Sequence, residues 1–146
     1  LIDQEERAIS YCERVLAPLA ARTHARVRVI RESVRRLLTD KRLAHTLGSC
    51  ELIYSAGLFD YLNDRTFDAL IGTLYSAVSE GGVLAIGNVA ALNPDRFAME
   101  YFTEWYLNHR SPEELRARTH ALSPAPSKIE IESEPLGVNL FLILQR

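Results

Sequence analysis

The stretch KIEIESEPLGVNLFLIL, residues 128–144, decides the fold class of this 146-residue chain. Residues 128–133 alternate strictly between polar and apolar side chains, which is typical of an edge or half-exposed strand. Residues 138–144 form an apolar run that predicts a strand buried on both faces. Proline and glycine at positions 135 and 137 predict a tight turn between the two strands. We therefore expect the chain to end on two antiparallel strands.

Upstream of this hairpin, predicted strands alternate with predicted helices. The strands are expected at residues 1–3, 26–30, 51–56 and 83–89, and the helices at 4–17, 33–38, 40–47, 63–79, 93–108 and from Ser111 onward. Such alternation predicts a mostly parallel sheet that is covered on both faces. The predicted fold class is α/β, with a three-layer, Rossmann-like sheet that ends in an antiparallel hairpin.

Local signals mark the ends of these helices. Asp3 and Glu6 have the spacing of a capping box at the start of the first helix. Pro18 is expected to end or bend that helix, and the pair Gly81-Gly82 is expected to end the helix over residues 63–79. Ser111, followed by proline and then by glutamate at the third helical position, predicts a further helix start.

Composition excludes several classes of protein. Hydrophobic residues make up 47% of the chain, charged residues 25%, and the formal net charge is -2, which is ordinary for a globular domain. Two cysteines are too few for a disulfide scaffold, and no spacing of Cys and His suits structural zinc. The arginines between positions 26 and 36 predict a solvated face rather than a nucleic-acid surface. Because no apolar stretch is long enough to span a membrane, we expect a cytoplasmic protein.

The predicted layout resembles class I S-adenosylmethionine-dependent methyltransferases, whose three-layer sheet also ends in a β-hairpin. Residues 55–62, SAGLFDYL, are similar to the family's loop after the fourth strand. Residues 80–84, EGGVL, are similar to the start of the family's fifth strand, with Glu80 where proline is common. The resemblance implies that residues 1–146 form part of a methyltransferase domain, that the cofactor is S-adenosyl-L-methionine and that the acceptor is a small molecule.

The resemblance also implies which residues hold the cofactor. Asp3, at the end of a strand, corresponds to the acidic residue that binds the two ribose hydroxyls. A short carboxylate suits this role because both hydroxyls of a vicinal diol can donate to it. The resemblance places adenine beside Glu32, Ser33 and Val34, and the methionine part beside Ser55, Ala56 and Gly57.

Three longer phrases resemble one bacterial subgroup of these enzymes. They are LIYSAGLFDYL at 52–62, NPDRFAMEYFTEWYLNHR at 93–110 and GVNLFLIL at 137–144. The subgroup is associated with the biosynthesis of fatty-acid methyl-ester signals, and some members are fused to a cyclic-nucleotide-binding domain. This resemblance implies a fatty-acid-type carboxylate as the acceptor and an upstream regulatory domain as a partner.

Methyl transfer from a sulfonium is an in-line displacement that depends on positioning and desolvation. A carboxylate acceptor needs no general base, whereas a hydroxyl or an amine can need one. The catalytic candidates are Asp60 and Tyr61, which follow a strand, and His109. The substrate-binding candidates are Arg96, Glu100, Tyr106 and Arg110, with neighbouring aromatic residues as the wall of an acyl-chain site. The alternative is that Arg96 and Glu100 form a surface ion pair and that the aromatic residues belong to the core.

One element of that family has no counterpart here, namely the glycine-rich turn after the first strand. Gly81-Gly82 cannot replace it, because this pair lies between a helix and a strand. Since the chain starts at Leu1, inside a predicted strand, we expect it to be a piece of a longer protein that alone binds S-adenosylmethionine weakly or not at all. An unpaired central strand would also invite a partner strand or a strand-swapped homodimer.

Two other functions stay open at this point. A nicotinamide-dinucleotide-binding Rossmann domain also carries an acidic residue at a strand end, although the terminal hairpin favours the methyltransferase. A non-catalytic regulatory or dimerisation module on a degenerate methyltransferase fold would explain the missing glycine-rich turn. Binding of the cofactor by the full gene product would discriminate between these hypotheses.

Overall fold

The computed structural model describes residues 1–40 and 47–146. Its contacts divide the chain into two compact units, Leu1–Leu43 and Ala44–Arg146, which we describe separately. Most of the predicted helix at 40–47 lies outside the described residues. Within those residues, no helix combines the length and the apolar character needed to cross a bilayer.

In residues 1–40, the first unit contains two very short strands and two helices. They are β1 (Ile2–Asp3), α1 (Glu6–Thr23), β2 (Ile30–Arg31) and α2 (Val34–Thr39). The strands pair in parallel, with Ile2 opposite Ile30 and Asp3 opposite Arg31. The prediction of a strand over residues 26–30 is wrong in extent, because β1 offers only two residues for β2 to pair with.

The ends of α1 differ from the prediction. Glu5, not Asp3, is the N-cap, and Glu6 forms an ion pair with Arg31 at 3.0 Å rather than a capping box. The prediction that the helix ends near Pro18 is wrong as well, since α1 continues to Thr23. A proline removes only one backbone donor, so the helix can continue where the following residues favour it.

The second unit contains a four-stranded mixed sheet. Its elements are β3 (Cys50–Ser55), a 3-10 turn (Phe59–Tyr61), α3 (Asp64–Ser76), β4 (Val78–Val89), α4 (Arg96–Phe102), α5 (Pro112–Ala117), β5 (Lys128–Ser133) and β6 (Asn139–Gln145). The strand order is β3-β4-β6-β5, in which β3 and β4 are parallel and β6 is antiparallel to both of its neighbours. The α/β class with a C-terminal antiparallel hairpin is therefore confirmed.

The core of the second unit lies between α3 and the sheet strands. The buried face of α3 has apolar residues at helical spacing, and it consists of Phe67, Leu70, Ile71, Leu74 and Tyr75. Strand β6 alternates between buried and half-buried side chains, so the predicted burial on both faces is only partial. Leu84, Ile86, Leu142 and Leu144 are fully buried on the two central strands. Burial of such side chains is the main favourable contribution to folding.

The pair Gly81-Gly82 lies inside β4 and does not end a helix, so that prediction is wrong. Helix α3 stops at Ser76, and the pairing of β3 with β4 shifts register between Cys50 and Leu52. At Gly82 a Cβ atom would stand 2.9 Å from the carbonyl oxygen of Glu51. Glycine is needed there because the two backbones approach too closely for a side chain.

Helix α4 is much shorter than the predicted helix over residues 93–108. Glu104 adopts a left-handed backbone conformation with a φ of 51°, and the Trp105 amide donates to the carbonyl of Met99. This turn ends helix α4. Tyr106 therefore lies beyond α4 and not within the predicted helix over residues 93–108, which corrects that prediction.

Two local predictions are confirmed. Strand β5 has the predicted bounds, and the carboxylate of Glu134 accepts hydrogen bonds from three amides of the turn that follows it. The capping box at Ser111 is present, with its hydroxyl accepting from the Glu114 amide at 3.2 Å. The Glu114 carboxylate accepts from the Ser111 amide at 2.7 Å.

Candidate functional site

The predicted ribose and adenine residues lie together in the first unit. Asp3 ends β1 and Glu32 follows β2, and because these strands are parallel both residues lie at the same edge. The Glu32 amide donates to the backbone carbonyl of Asp3 at 2.9 Å. Ser33 is the N-cap of α2, which begins at Val34, and its hydroxyl accepts from the Arg36 amide at 3.3 Å.

The two carboxylates at this edge have different partners. The Glu32 carboxylate forms an ion pair with Arg36 at 3.0 Å. Asp3 is half-buried, and its Oδ1 accepts from the Glu5 amide at 2.8 Å. Its Oδ2 has no hydrogen-bond partner among the described residues. Asp3 thus keeps acceptor capacity for a hydroxyl donor, as its predicted role requires.

The predicted methionine-side residues follow β3 in the second unit. Ser55 is the last residue of β3 and is half-buried, while Ala56 and Gly57 are exposed. Gly57 has a φ of 72°, which a residue with a side chain rarely adopts. Because Ser55 pairs with Ile86 of the parallel strand β4, residues after Ser55 and after Ile86 lie at one edge of the sheet.

Asp60 lies in the 3-10 turn and is only 4% exposed. Its Oδ1 accepts from the Val89 amide at 2.5 Å, and its carbonyl accepts from the backbone amide and side chain of Asn108. Burial raises the pKa of the Asp60 carboxyl, while the Val89 hydrogen bond and the charges of Arg110 and His109 oppose that rise. Asp60 therefore joins the turn to the end of β4.

Arg110 is 3% exposed and its guanidinium is held by groups of the same unit. Its two terminal nitrogens donate to two carbonyls and two side chains, at 2.6–3.1 Å, namely Phe59, Leu62, Asn88 and Asp64. The guanidinium also lies 4.6 Å from the centre of the Phe67 ring, a cation–π contact.

Tyr61 projects from the same turn but is exposed. The indole Nε1 of Trp105 donates to the Tyr61 hydroxyl at 2.9 Å. The two side chains are 56% and 47% exposed, so this hydrogen bond lies at the surface. Tyr61 is thus the predicted catalytic residue that a ligand can reach most directly.

His109 is half-buried beside this network. Its Nδ1 lies 3.1 Å from the carbonyl of Leu107, and a carbonyl can only accept, so the contact requires the proton on Nδ1. Its Nε2 is buried and has no partner among the described residues. A substrate group therefore has no open path to Nε2.

The remaining predicted substrate residues lie on or after α4. Arg96 and Glu100 form an ion pair at 2.8 Å, and both are partly exposed. Tyr106 is exposed beyond the end of the helix. Three further rings, those of Phe97, Tyr101 and Phe102, are exposed and contact one another. The structure thus separates Arg96 and Glu100 at the surface from Arg110 in the interior.

Two partners in this network, Asn108 and Asp64, are exposed residues that are absent from the sequence-based candidates. Asp64 is shared between Arg110 at 3.1 Å and Arg118 at 2.6 Å. In the sequence it has the features of an ordinary residue in the first turn of a helix, so no local pattern reveals the pairing. No group of three or more His, Cys, Asp or Glu suited to a metal ion occurs in residues 1–40 and 47–146.

No protein-family model matches the sequence, and no curated protein matches it. The chain is similar to the solved structure of the S-adenosylmethionine-dependent methyltransferase SibL, with a TM-score of 0.71 and 15% identity over 100% of this chain and 42% of that one. The chain therefore has the fold of part of an S-adenosylmethionine-dependent methyltransferase. At such low identity the likeness establishes the fold alone.

Two further solved structures are similar to this methyltransferase fold. Magnesium protoporphyrin IX methyltransferase from Synechocystis PCC 6803, with bound SAH, has a TM-score of 0.67 and 10% identity over 99% of this chain and 62% of that one. A possible exported protein from Bordetella parapertussis has a TM-score of 0.69 and 21% identity over 99% of this chain and 52% of that one. The chain thus spans about half the length of these structures.

Proposed function

We propose that this chain is part of an enzyme that transfers a methyl group from S-adenosyl-L-methionine to a small molecule. The observation that carries the proposal is the position of the predicted cofactor residues within a methyltransferase fold. In each unit they follow the carboxyl ends of parallel strands. Open α/β sheets bind their ligands at that edge.

The chemistry of Asp3 fits the ribose of this cofactor. Its free Oδ2 and its bonded Oδ1 both accept hydrogen bonds, and its half-buried position strengthens bonds to a carboxylate. Glu32, Ser33 and Val34 follow the neighbouring strand and would hold adenine. Ser55, Ala56 and Gly57 would hold the methionine part.

The acceptor that we propose is a fatty-acid-type carboxylate. S-adenosylmethionine supplies an electrophilic methyl group: a carboxylate oxygen bonds to it as its bond to sulfur breaks, which leaves a methyl ester and S-adenosylhomocysteine with no proton to move. This suits a site in which His109 Nε2 and Asp60 are buried. The exposed rings of Phe97, Tyr101 and Phe102 offer an apolar surface for an acyl chain.

Calorimetry with S-adenosylhomocysteine tests the proposal on the native gene product that carries this chain. We expect binding, and we expect Asp3→Asn to weaken it about tenfold or more, since hydrogen bonds to a charged group contribute ~1.5–3 kcal/mol each. Asp95→Asn, an exposed carboxylate of the second unit, is the matched control and should leave the affinity unchanged. Absence of binding, or an Asp3→Asn variant that binds like the wild type, would contradict the proposal.

The acceptor has a separate test. The gene product is incubated with S-adenosylmethionine and, in parallel, with a free fatty acid, a fatty alcohol and a fatty amine. We expect methylation of the acid alone. Methylation of the alcohol or the amine would reject the carboxylate acceptor without affecting the proposed cofactor.

A non-catalytic module on the same fold is the second candidate function. The observation that favours it is the commitment of Asp60 and Arg110 to hydrogen bonds within the unit. In that case calorimetry would detect no S-adenosylhomocysteine binding by the native gene product. The same experiment therefore separates the two functions.

A further inference from the structure

The buried guanidinium of Arg110 brackets the turn that carries Asp60 and Tyr61. One terminal nitrogen donates to the carbonyl of Phe59 at 3.1 Å, and the other donates to the carbonyl of Leu62 at 2.6 Å. These carbonyls belong to the first residue of the 3-10 turn and to the residue that follows it. Because the guanidinium is a planar, rigid fork of donors, it fixes both ends of the turn at once.

Asn88 ties the same guanidinium to the end of β4. Its Oδ1 accepts from Arg110 at 2.7 Å, and its Nδ2 donates to the carbonyls of Val89 and Asn108. Asn88 is fully buried, and its hydrogen bonds to Arg110 and to the Val89 carbonyl are buried as well, so these two are shielded from water. The turn is thus held to β4 by Arg110 on one side and by the Asp60–Val89 hydrogen bond on the other.

The charge of Arg110 is balanced at the start of α3. Asp64 lies 3.1 Å away, and the guanidinium packs on the ring of Phe67. A buried charge without such partners would be strongly destabilising. These contacts occupy both terminal nitrogens of Arg110, which leaves them no free position toward a ligand in this conformation.

Tyr61 depends on the turn for its position. The one hydrogen bond of its side chain within the described residues is the one from Trp105 Nε1. The side chain is 56% exposed, so we infer that the backbone of the turn determines where the hydroxyl lies.

We propose that Arg110 is a positioning residue, which holds the Phe59–Tyr61 turn against the end of β4 and thereby sets the place of the Tyr61 hydroxyl. This differs from the sequence-based prediction that Arg110 binds a substrate carboxylate. That Arg110 holds the turn in place is argued from the contacts described above. That this position of the Tyr61 hydroxyl matters for methyl transfer rests on the proposed function.

The single tryptophan of the chain provides the test, because Trp105 is bonded to Tyr61. Hydrogen exchange of its indole N–H is followed by NMR in the wild type, Arg110→Gln, Arg110→Lys and the control Arg118→Gln. Arg118 shares Asp64 with Arg110 but does not contact the turn. We expect exchange to accelerate about fivefold in both Arg110 variants, as loss of one hydrogen bond would give, and to stay unchanged in the control.

A second background excludes a general loosening of the fold. In Tyr61→Phe the indole has lost its partner, so adding Arg110→Lys should cause no further acceleration. Unchanged exchange in folded Arg110 variants, as a substrate-binding role predicts, would overturn the proposal, and so would an equal acceleration in the Tyr61→Phe background. If neither Arg110 variant folds, Asp64→Ala removes one acceptor of the Arg110 guanidinium, and a lack of any acceleration there overturns the proposal instead. No cofactor is used, so failure here is distinct from failure of the proposed function.

Discussion

The two units of the chain bury apolar side chains to very different extents. Of the eighteen buried hydrophobic residues in the described part of the chain, the first unit supplies only Ile9 and Leu37. Its strands have two residues each, whereas the strands of the second unit have six to twelve. The longer sheet provides a surface on which helices can bury an apolar face.

Helices α1 and α3 show how this difference affects the burial of an apolar helix face. Both have apolar residues at helical spacing, but α1 buries only Ile9, whereas α3 buries five side chains. On α1, Tyr11 and Leu19 are about half exposed, at 59% and 48%. Periodicity therefore predicts which side of a helix is apolar, and the neighbouring sheet decides whether that side is buried.

The largest expected effect comes from truncating a leucine in each unit. Leu142→Ala, at a fully buried position on β6, should lower the free energy of unfolding by about 2–5 kcal/mol. Leu37→Ala, the matched change on α2, should cost about 1 kcal/mol or less, because Ile9 is the one other buried hydrophobic residue in the described part of its unit. Urea unfolding followed by circular dichroism measures both. Equal costs would contradict the contrast between the units.

A smaller effect is expected where β3 and β4 approach closely. Gly82→Ala should destabilise the chain by about 1–3 kcal/mol, because its Cβ would meet the Glu51 carbonyl and Val78 at 2.9 Å. Gly72→Ala, in the middle of α3 with open space around it, should instead stabilise by about 0.5–1 kcal/mol. Thermal and urea unfolding report the sign of each change. A neutral Gly82→Ala would show that the register shift tolerates a side chain.

Two helix caps provide the next comparison. Ser111→Ala removes a complete capping box in the second unit and should cost about 1 kcal/mol. Ser33→Ala removes the cap of α2, and its cost should be about half as large or less, because α2 buries only Leu37. The same unfolding measurements apply. A larger cost for Ser33→Ala would reverse the expected ranking of the two units.

The smallest expected effect is a dependence of stability on pH. Burial raises the pKa of Asp60 above 3.8, so above pH 3.8 the unfolded chain releases a proton that the folded chain still holds. Stability from this group is therefore present at low pH and is lost as pH rises toward the folded pKa. The difference in unfolding free energy between the wild type and Asp60→Asn should fall across that window and then level off.

Glu134 provides the control with the opposite sign. Hydrogen bonds from the Leu136, Asn139 and Val138 amides lower the pKa of its carboxyl below 4.5. The stability that it contributes is present above pH 4.5 and is lost as pH falls through the folded pKa. The difference between the wild type and Glu134→Gln should therefore shrink toward acid. Slopes of the same sign for the two variants would show that one assignment is wrong.

The fold could be predicted where it depends on interactions between residues close in the sequence, and not where it depends on residues far apart in the sequence. Strand β5 and the cap at Ser111 were predicted correctly, because alternation and capping act between residues close in the chain. The Gly81-Gly82 pair resembles a helix stop in the sequence, yet its role depends on Glu51 of another strand. The end of α4 was missed because nothing in the sequence requires glutamate at position 104 to adopt a left-handed conformation.

The candidate site shows the same limit. Strand ends could be predicted locally, so Asp3 and Ser55 were each expected at the end of a strand, and each ends a strand of its own unit. The buried network could not be predicted, because Arg110 donates to groups that lie 22 to 51 residues away in the chain. An arginine with several distant partners leaves no periodic signal, and the sequence suggested that Arg110 binds a substrate carboxylate.

The central claim is that the cofactor binds at the carboxyl ends of the parallel strands. The most direct test is an NMR titration of the native gene product with S-adenosylhomocysteine, in which the backbone amide shifts are followed residue by residue. We predict that the largest changes fall on Asp3, on residues 32–34 and on residues 55–57. Shifts confined to the hairpin of β5 and β6, or no shifts at all at saturating ligand, would contradict the claim.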